Sequence, residues 1–248
     1  MVLLYIPPVQ NLLRREVTAY ASKATGMQIQ VERIDLRFPL DLLVRGVEVI
    51  QQPDTLLSLE SLNVRVQAWP LLKGKVEVDD VTLSQVAVNS ADLIEGMQIK
   101  GVLGRFFLQS HGVDLSNETA VVNRAELSDT HIQLLMNDTT TTPKDTTASA
   151  PVNWKVDLHQ LKLKNISFDM QLPADSLKMA AYIGEATVDD AKADLKNQFY
   201  GLRQFLLSGA SASYDTGEAG PAEGFDASHM AVRTSVSVWT RCSTKAET

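Results

Sequence analysis

Val76 to Val88 read VEVDDVTLSQVAV, with apolar residues at Val76, Val78, Val81, Leu83, Val86 and Val88. An amphipathic helix repeats its apolar positions three and four residues apart, and no fours occur here. Within each pair the apolar residues straddle one outward residue, as on a strand. The two polar residues between pairs, Asp79-Asp80 and Ser84-Gln85, reset which face points inward, as a bulge or tight turn does. The stretch therefore predicts β-structure with one apolar face carried across two breaks.

The same spacing recurs along the chain. It appears at Ile29, Val31, Ile34 and Leu36, and at Leu42, Val44, Val47 and Val49 around Arg45-Gly46. It returns at Leu57, Leu59, Leu62 and Val64, and at Ala120, Val122, Ala125, Leu127, Thr130 and Ile132. Val156, Leu158, Leu161, Leu163, Ile166 and Phe168 match the opening stretch position for position, and Tyr200 to Ala212 follow more loosely. Recurrence on this scale predicts an elongated array of β units, each burying its face against its neighbours. A pentapeptide β-helix shares the five-residue step but repeats without interruption, whereas these runs are unevenly separated. Between them, Gly96 to Leu108 (GMQIKGVLGRFFL) carries glycines among apolar residues and reads as bulged or bent strand.

Composition narrows the function. At 248 residues and 44% hydrophobic, the chain is long and apolar enough to bury a core. Its net charge of −7, with no Lys/Arg cluster, argues against nucleic acid. Cys242 is the single cysteine, which excludes an internal disulfide and a cysteine-rich metal site.

Met1 to Ile6 (MVLLYI) is apolar but far short of the roughly 20 residues that cross a bilayer. It reads either as a first strand or chain end, or as the trailing end of a membrane anchor. After Pro7-Pro8, the residues Leu12, Leu13, Val17, Tyr20 and Ala24 keep a helical period up to Gly26. With Arg14, Arg15 and Lys23 among them, this helix suits a membrane surface or the end of a β structure.

Residues for chemistry are scattered. The histidines, His111, His131, His159 and His229, have no partner at metal-ligand spacing. The paired acids Asp79-Asp80 and Asp189-Asp190 fall in breaks, where turns favour aspartate. No nucleophile-elbow motif is present, nor a serine or cysteine with a recognisable base nearby. The reading is non-enzymatic, with no cofactor and no metal.

Four segments carry a family resemblance: LLYIPPVQNLLRREVTAYASKATGMQIQVERIDLRFPLDLLVRGVEV at the start, WPLLKGKVEVDDVTLSQVAVN, GMQIKGVLGRFFL and NDTTTTPKDTTASAPVNWKVDL. Together they resemble TamB-type proteins of Bacteroides-like bacteria and the related AsmA-like proteins, up to about Val232. The resemblance implies a taco-like, grooved β sheet behind an N-terminal inner-membrane anchor, with its body in the periplasm of a Gram-negative envelope. It implies phospholipid transport between membranes, assembly of outer-membrane proteins with a barrel partner of the TamA/BamA type, or both. By that analogy Val76, Val78, Val81, Leu83, Val86, Val88, Val156, Leu158, Leu161, Leu163, Ile166 and Phe168 line a groove for phospholipid acyl chains. The rival expectation is a structural or adhesive β-repeat protein with a closed core.

The expected organisation is mainly β with one N-terminal amphipathic helix. Residues 1–26 hold the anchor end and helix, 27–136 a first β region, 137–151 a Thr-rich loop and 152–236 a continuing β region. Residues 237–248 lose the strand pattern. Codons compatible with WTRCSTKAET, read in a shifted frame, give an alternating sequence, so a frameshift or truncated gene is expected there.

Overall fold

The two-three spacing is realised as strands. The computed structural model describes residues 7–38, 40–67, 78–114, 118–137, 153–217 and 229–245. Helix α1 (Pro7–Thr25) leads into β1 (Gln28–Arg37), β2 (Asp41–Gln51), β3 (Asp54–Val66), β4 (Val78–Asn89) and β5 (Met97–Asp114). Then come β6 (Thr119–Met136), β7 (Lys155–Leu172), β8 (Leu177–Asp194), β9 (Phe199–Asp215) and β10 (His229–Lys245). These ten strands form one open sheet in sequence order. Each run read from the sequence is one strand, hydrogen-bonded edge to edge with the next.

Helix α1 begins at the two prolines, where an N–H would have no intrahelical acceptor. It ends at Gly26, whose φ of +70 suits glycine and whose N–H donates to the Ser22 carbonyl at 2.9 Å. The helix lies along the free edge of β1. Arg14 Nη1 donates to the Val31 and Glu32 carbonyls, each at 3.1 Å, and the Ile29 N–H donates to Ser22 Oγ at 3.1 Å. Backbone groups that would otherwise invite another strand are thereby occupied.

Neighbouring strands are antiparallel except β6 and β7, which run parallel with Thr119 beside Lys155 and Leu135 beside Gln171. The Thr-rich stretch falls in the connection between them, and residues 138–152 lie outside the described residues. Met1 to Ile6 and Val76 lie outside them too.

The breaks in the sequence pattern line up across the sheet. Pairing is interrupted at Glu32 opposite Gly46, Glu60 opposite Gln85, Gly104 opposite Asp129, and Gly184 opposite Gly209. The same line passes between Gly46 and Glu60, Gln85 and Gly104, Asp129 and Asn165, and Asn165 and Gly184, making one continuous crease. Register is conserved across it: Ser61 pairs with Ser84 on one side, and Leu59 with Val86 on the other. Both strands of each pair therefore carry the irregularity together.

Gly46, Gln85, Asp129, Asn165 and Gly209 adopt positive φ, from 49 to 63 degrees. They lie on β2, β4, β6, β7 and β9, the strands that share one direction. A residue in the left-handed region reverses the local alternation, so positions three apart, such as Leu83 and Val86, stay on one face. A second interruption crosses β6 to β9 at Asn123, His159, Asp190 and Arg203. There Asp190 takes a φ of 49 degrees.

The sheet is one layer. Its accessible surface of 16727 Å² compares with about 11,000 Å² for a compact monomer of 27.2 kDa. Among the described residues no side chain is below 2% exposed except the small Ala186, at 1%. The buried apolar residues on the shared face, Ile34, Val122, Ala125 and Ala186, lie beside the creases, where bent strands bring side chains together.

Strand β10 continues to Lys245, paired with Phe199 on β9. Pairing there uses backbone groups, which need no apolar alternation. Gly96 to Leu108 reads correctly as strand, with Gly104 on the crease.

Candidate functional site

The apolar face is built in rows that run across the strands. One row joins Val81, Leu108, Ala125 and Leu161, and the next joins Leu83, Phe106, Leu127 and Leu163. Beyond the crease come Val86, Leu103, Thr130 and Ile166, then Val88, Gly101, Ile132 and Phe168. The residues expected on β4 and those expected on β7 thus occupy the same four rows. Two strands intervene, so they lie about 14 Å apart and belong to one surface without touching. Val156 and Leu158 extend this face past the second interruption, paired with Ala120 and Val122. Val78 pairs with Val66 beyond a register shift, at the start of β4.

Next to the crease Thr130 is 5% exposed and Ala186 1%, whereas Val88 and Ile132, farther out, are 40% and 39% exposed. Bulged strands bend; we call the apolar face along the crease the trough, with the crease as its floor. Thr130 is the polar interruption of the floor, its hydroxyl donating to the Ser128 carbonyl at 3.3 Å.

Some members of this surface were not recognised in the sequence. On β8 the inward positions include Ala181, Ile183, Ala186, Val188, Ala191 and Ala193. Alanines carry little hydrophobic contrast, and alternation across Gly184 is their only signal. Phe106 and Leu103 on β5 were read as strand but not as part of the repeat.

The opposite face carries the ion pairs, beside apolar Leu43, Val102 and Phe107. Arg65 bridges Asp41 at 3.2 Å and Asp80 at 3.0 Å, linking β2, β3 and β4. At the second interruption Asp190 accepts from Arg203 Nε at 2.7 Å and lies 3.2 Å from His159 Nδ1. The hydrogen bond to His159, then that to Arg203, holds the Asp190 carboxyl below its ordinary value of 3.8. Asp194 is likewise lowered, chiefly by the backbone N–H and side-chain amide of Asn197.

A depressed carboxylate stabilises the folded state above its unfolded pKa and loses that contribution as pH falls through the folded value. Asp190→Asn keeps a residue type that tolerates positive φ. In urea titrations the variant is expected to be less stable than the parent at pH 6, with the difference shrinking as pH falls below 3.8. A difference independent of pH would refute this assignment.

The parallel register of β6 and β7 also brings together residues that the sequence kept apart. Ser167 Oγ lies 2.6 Å from His131 Nδ1, and His131 Nε2 lies 3.6 Å from Asp169. This supplies a serine with an adjacent base, which local spacing did not reveal. The order serine–imidazole–carboxylate has the form of a nucleophile with its base. However, the N–H groups of β6 and β7 serve the sheet ladder and are not aimed at a developing oxyanion. His131 and Asp169 are also about two-fifths exposed to water. A surface polar network is the better account. His159 is engaged with Asp190, while His111 and His229 fall on β5 and β10.

Among the described residues no three His, Cys, Asp or Glu side chains converge as a metal site, and no helix is long and apolar enough to cross a membrane. Compared with known proteins, the chain matches no family model and no curated sequence.

Proposed function

We propose that this chain is a non-enzymatic lipid-handling component of a Gram-negative cell envelope, and that its apolar trough receives phospholipid acyl chains. The observation that carries this reading is the row structure: continuous apolar rows cross the sheet, and Val88 and Ile132 in the outermost row remain about two-fifths exposed. A monomer rarely leaves so large a contiguous apolar surface in water unless something covers it. Acyl chains suit it because they need no hydrogen bonds and tolerate a floor of mixed Val, Leu, Ile and Phe. A closed-core adhesive repeat would instead bury Val88 and Ile132.

The resemblance to TamB- and AsmA-like proteins supports the same reading. On that basis the body lies in the periplasm, behind an inner-membrane anchor at the N-terminal end. Transfer of phospholipid toward the outer membrane is the proposed activity, with assembly of outer-membrane proteins beside a TamA/BamA-type barrel as its companion role.

Native mass spectrometry of the gently extracted full chain tests the trough. Phospholipid is expected to co-purify, and to be lost from Val81→Asp/Leu83→Asp with the β signal in circular dichroism retained. A folded, lipid-free parent chain, or a double variant that keeps its lipid, would sink the proposal.

A further inference from the structure

The two edges of the sheet match each other. Every pairing but β6–β7 is antiparallel, and the single parallel one leaves β1 and β10 pointing the same way. Both also carry the crease in the same form. It reaches β1 at Glu32, opposite Gly46, and β10 at Ser235, opposite Gly209, and neither Glu32 nor Ser235 has a positive φ.

That form decides which strand continues the sheet beyond β10. Antiparallel neighbours set a left-handed crease residue against an extended one, as Gly46 against Glu32, whereas the parallel pair sets like beside like, Asp129 beside Asn165. The strands with left-handed crease residues, β2, β4, β6, β7 and β9, are all interior. The only other edge is β1, and it fits β10 in parallel: with Glu32 beside Ser235, Ile29 falls beside Val232, Val31 beside Thr234 and Ile34 beside Ser237. Exposed Arg233 then lies diagonal to exposed Glu32, an attractive placement. Two β10 strands paired antiparallel through Thr234 and Ser237 would instead set Ser235 against Val236, out of phase. Val232, on the trough face of β10, is 64% exposed, as an open edge leaves it.

The edge of β1 is occupied by α1, through a polar contact. Arg14, Thr18 and Ser22 are spaced four apart on one helix face. Arg14 and Ser22 hydrogen-bond to β1, yet Arg14 Nε and Thr18 Oγ1 are buried with no hydrogen-bond partner among the described residues. Buried polar atoms left unpaired weaken the contact that buries them.

We infer that α1 is a displaceable cap, and that once it lifts, β1 joins β10 of a second copy of this chain in parallel register. Each copy offers both edges, so the contact is head-to-tail and does not close at a dimer. The apolar rows then run from one copy into the next.

Sedimentation velocity of the full chain measures the association. Arg14→Glu, which sets a carboxylate against the Val31 and Glu32 carbonyls, is expected to strengthen it at least tenfold. Thr18→Val removes an unpaired hydroxyl, seats the helix better and is expected to weaken association at least threefold. Register is read by disulfide trapping between separate single-cysteine variants in a Cys242→Ser background. Val31→Cys mixed with Thr234→Cys is expected to give at least fivefold more mixed disulfide than Val31→Cys mixed with Ser237→Cys, three residues out of register. An Arg14→Glu chain that keeps its β signal in circular dichroism and associates no more tightly than the parent would overturn the cap. Should that variant fail to fold, Thr18→Val decides, and association unchanged from the parent overturns it. Equal trapping in the two mixtures overturns the register, and assembly that stops at a dimer overturns β1 as the partner of β10. Val81→Asp/Leu83→Asp, on β4 and remote from both edges, is expected to lose phospholipid without changing the association, so this inference and the trough proposal fail separately.

Discussion

Replacing Gly46 with valine is expected to destabilise the sheet by about 3 kcal/mol or more, the sum of backbone strain and overpacking. Two independent costs meet at this position. Its φ of +59 is one that a β-branched residue adopts only under strain. A Cβ there would also lie 2.7 Å from Glu32 Cβ, an atom fixed to the facing strand and unable to swing away. Gly26 isolates the first cost, because its φ is +70 but a Cβ would meet nothing within 4 Å. Gly26→Val is therefore expected to cost about 1–2 kcal/mol from the left-handed backbone alone. Gly104 isolates the second: it has no positive φ, yet a Cβ would stand 2.7 Å from Asp129 Cβ and 3.0 Å from the Asp129 carbonyl. Urea midpoints for the three valine variants check the ranking. A Gly46 variant no worse than the Gly26 variant would show that the crease is not closely packed.

The second large effect is expected at Ala186→Asp. Ala186 is 1% exposed and sits between Leu163 and Leu207 on the trough floor. An ionised carboxylate there would lose its water and gain no cation, at an expected cost of about 3–5 kcal/mol. Burial raises the variant's aspartate pKa, so protonation relieves the penalty. The deficit relative to the parent should thus be largest near neutral pH and diminish as pH falls through that raised value. The control Ser213→Asp, on an exposed outward position paired with Ala180 and Ala231, is expected to stay within about 0.5 kcal/mol of the parent. Urea titrations at pH 7 and pH 5 provide the comparison, and a small, pH-independent deficit at Ala186 would mean that the floor is wet.

Much of this architecture is written into local spacing. The breaks at Arg45-Gly46, Ser84-Gln85 and Ser128-Asp129 contain Gly46, Gln85 and Asp129, the left-handed residues of the crease. Their positions are legible because the apolar residues on either side must reach one surface. Strand direction is not legible this way, since the same alternation serves a parallel or an antiparallel neighbour. The β6–β7 pairing therefore emerges only in three dimensions. With it comes the contact of His131 with Ser167, which are 36 residues apart in the chain. In the 237–248 segment the apolar rhythm drops, while backbone hydrogen bonds to β9 carry the strand to Lys245. The inward alanines of β8 escaped notice because alanine on a strand signals neither core nor surface.

Strand order in space repeats strand order in sequence, and this bears on assembly of the chain. Short connections such as 52–53, 173–176 and 195–198 let adjacent strands meet at a low loop-closure cost. Each half, β1–β6 and β7–β10, is thus able to zip outward from its own turns through contacts local in sequence. The parallel seam is different, since it closes across the whole length of two long strands. The apolar rows are thus continuous only where the two halves meet along β6 and β7.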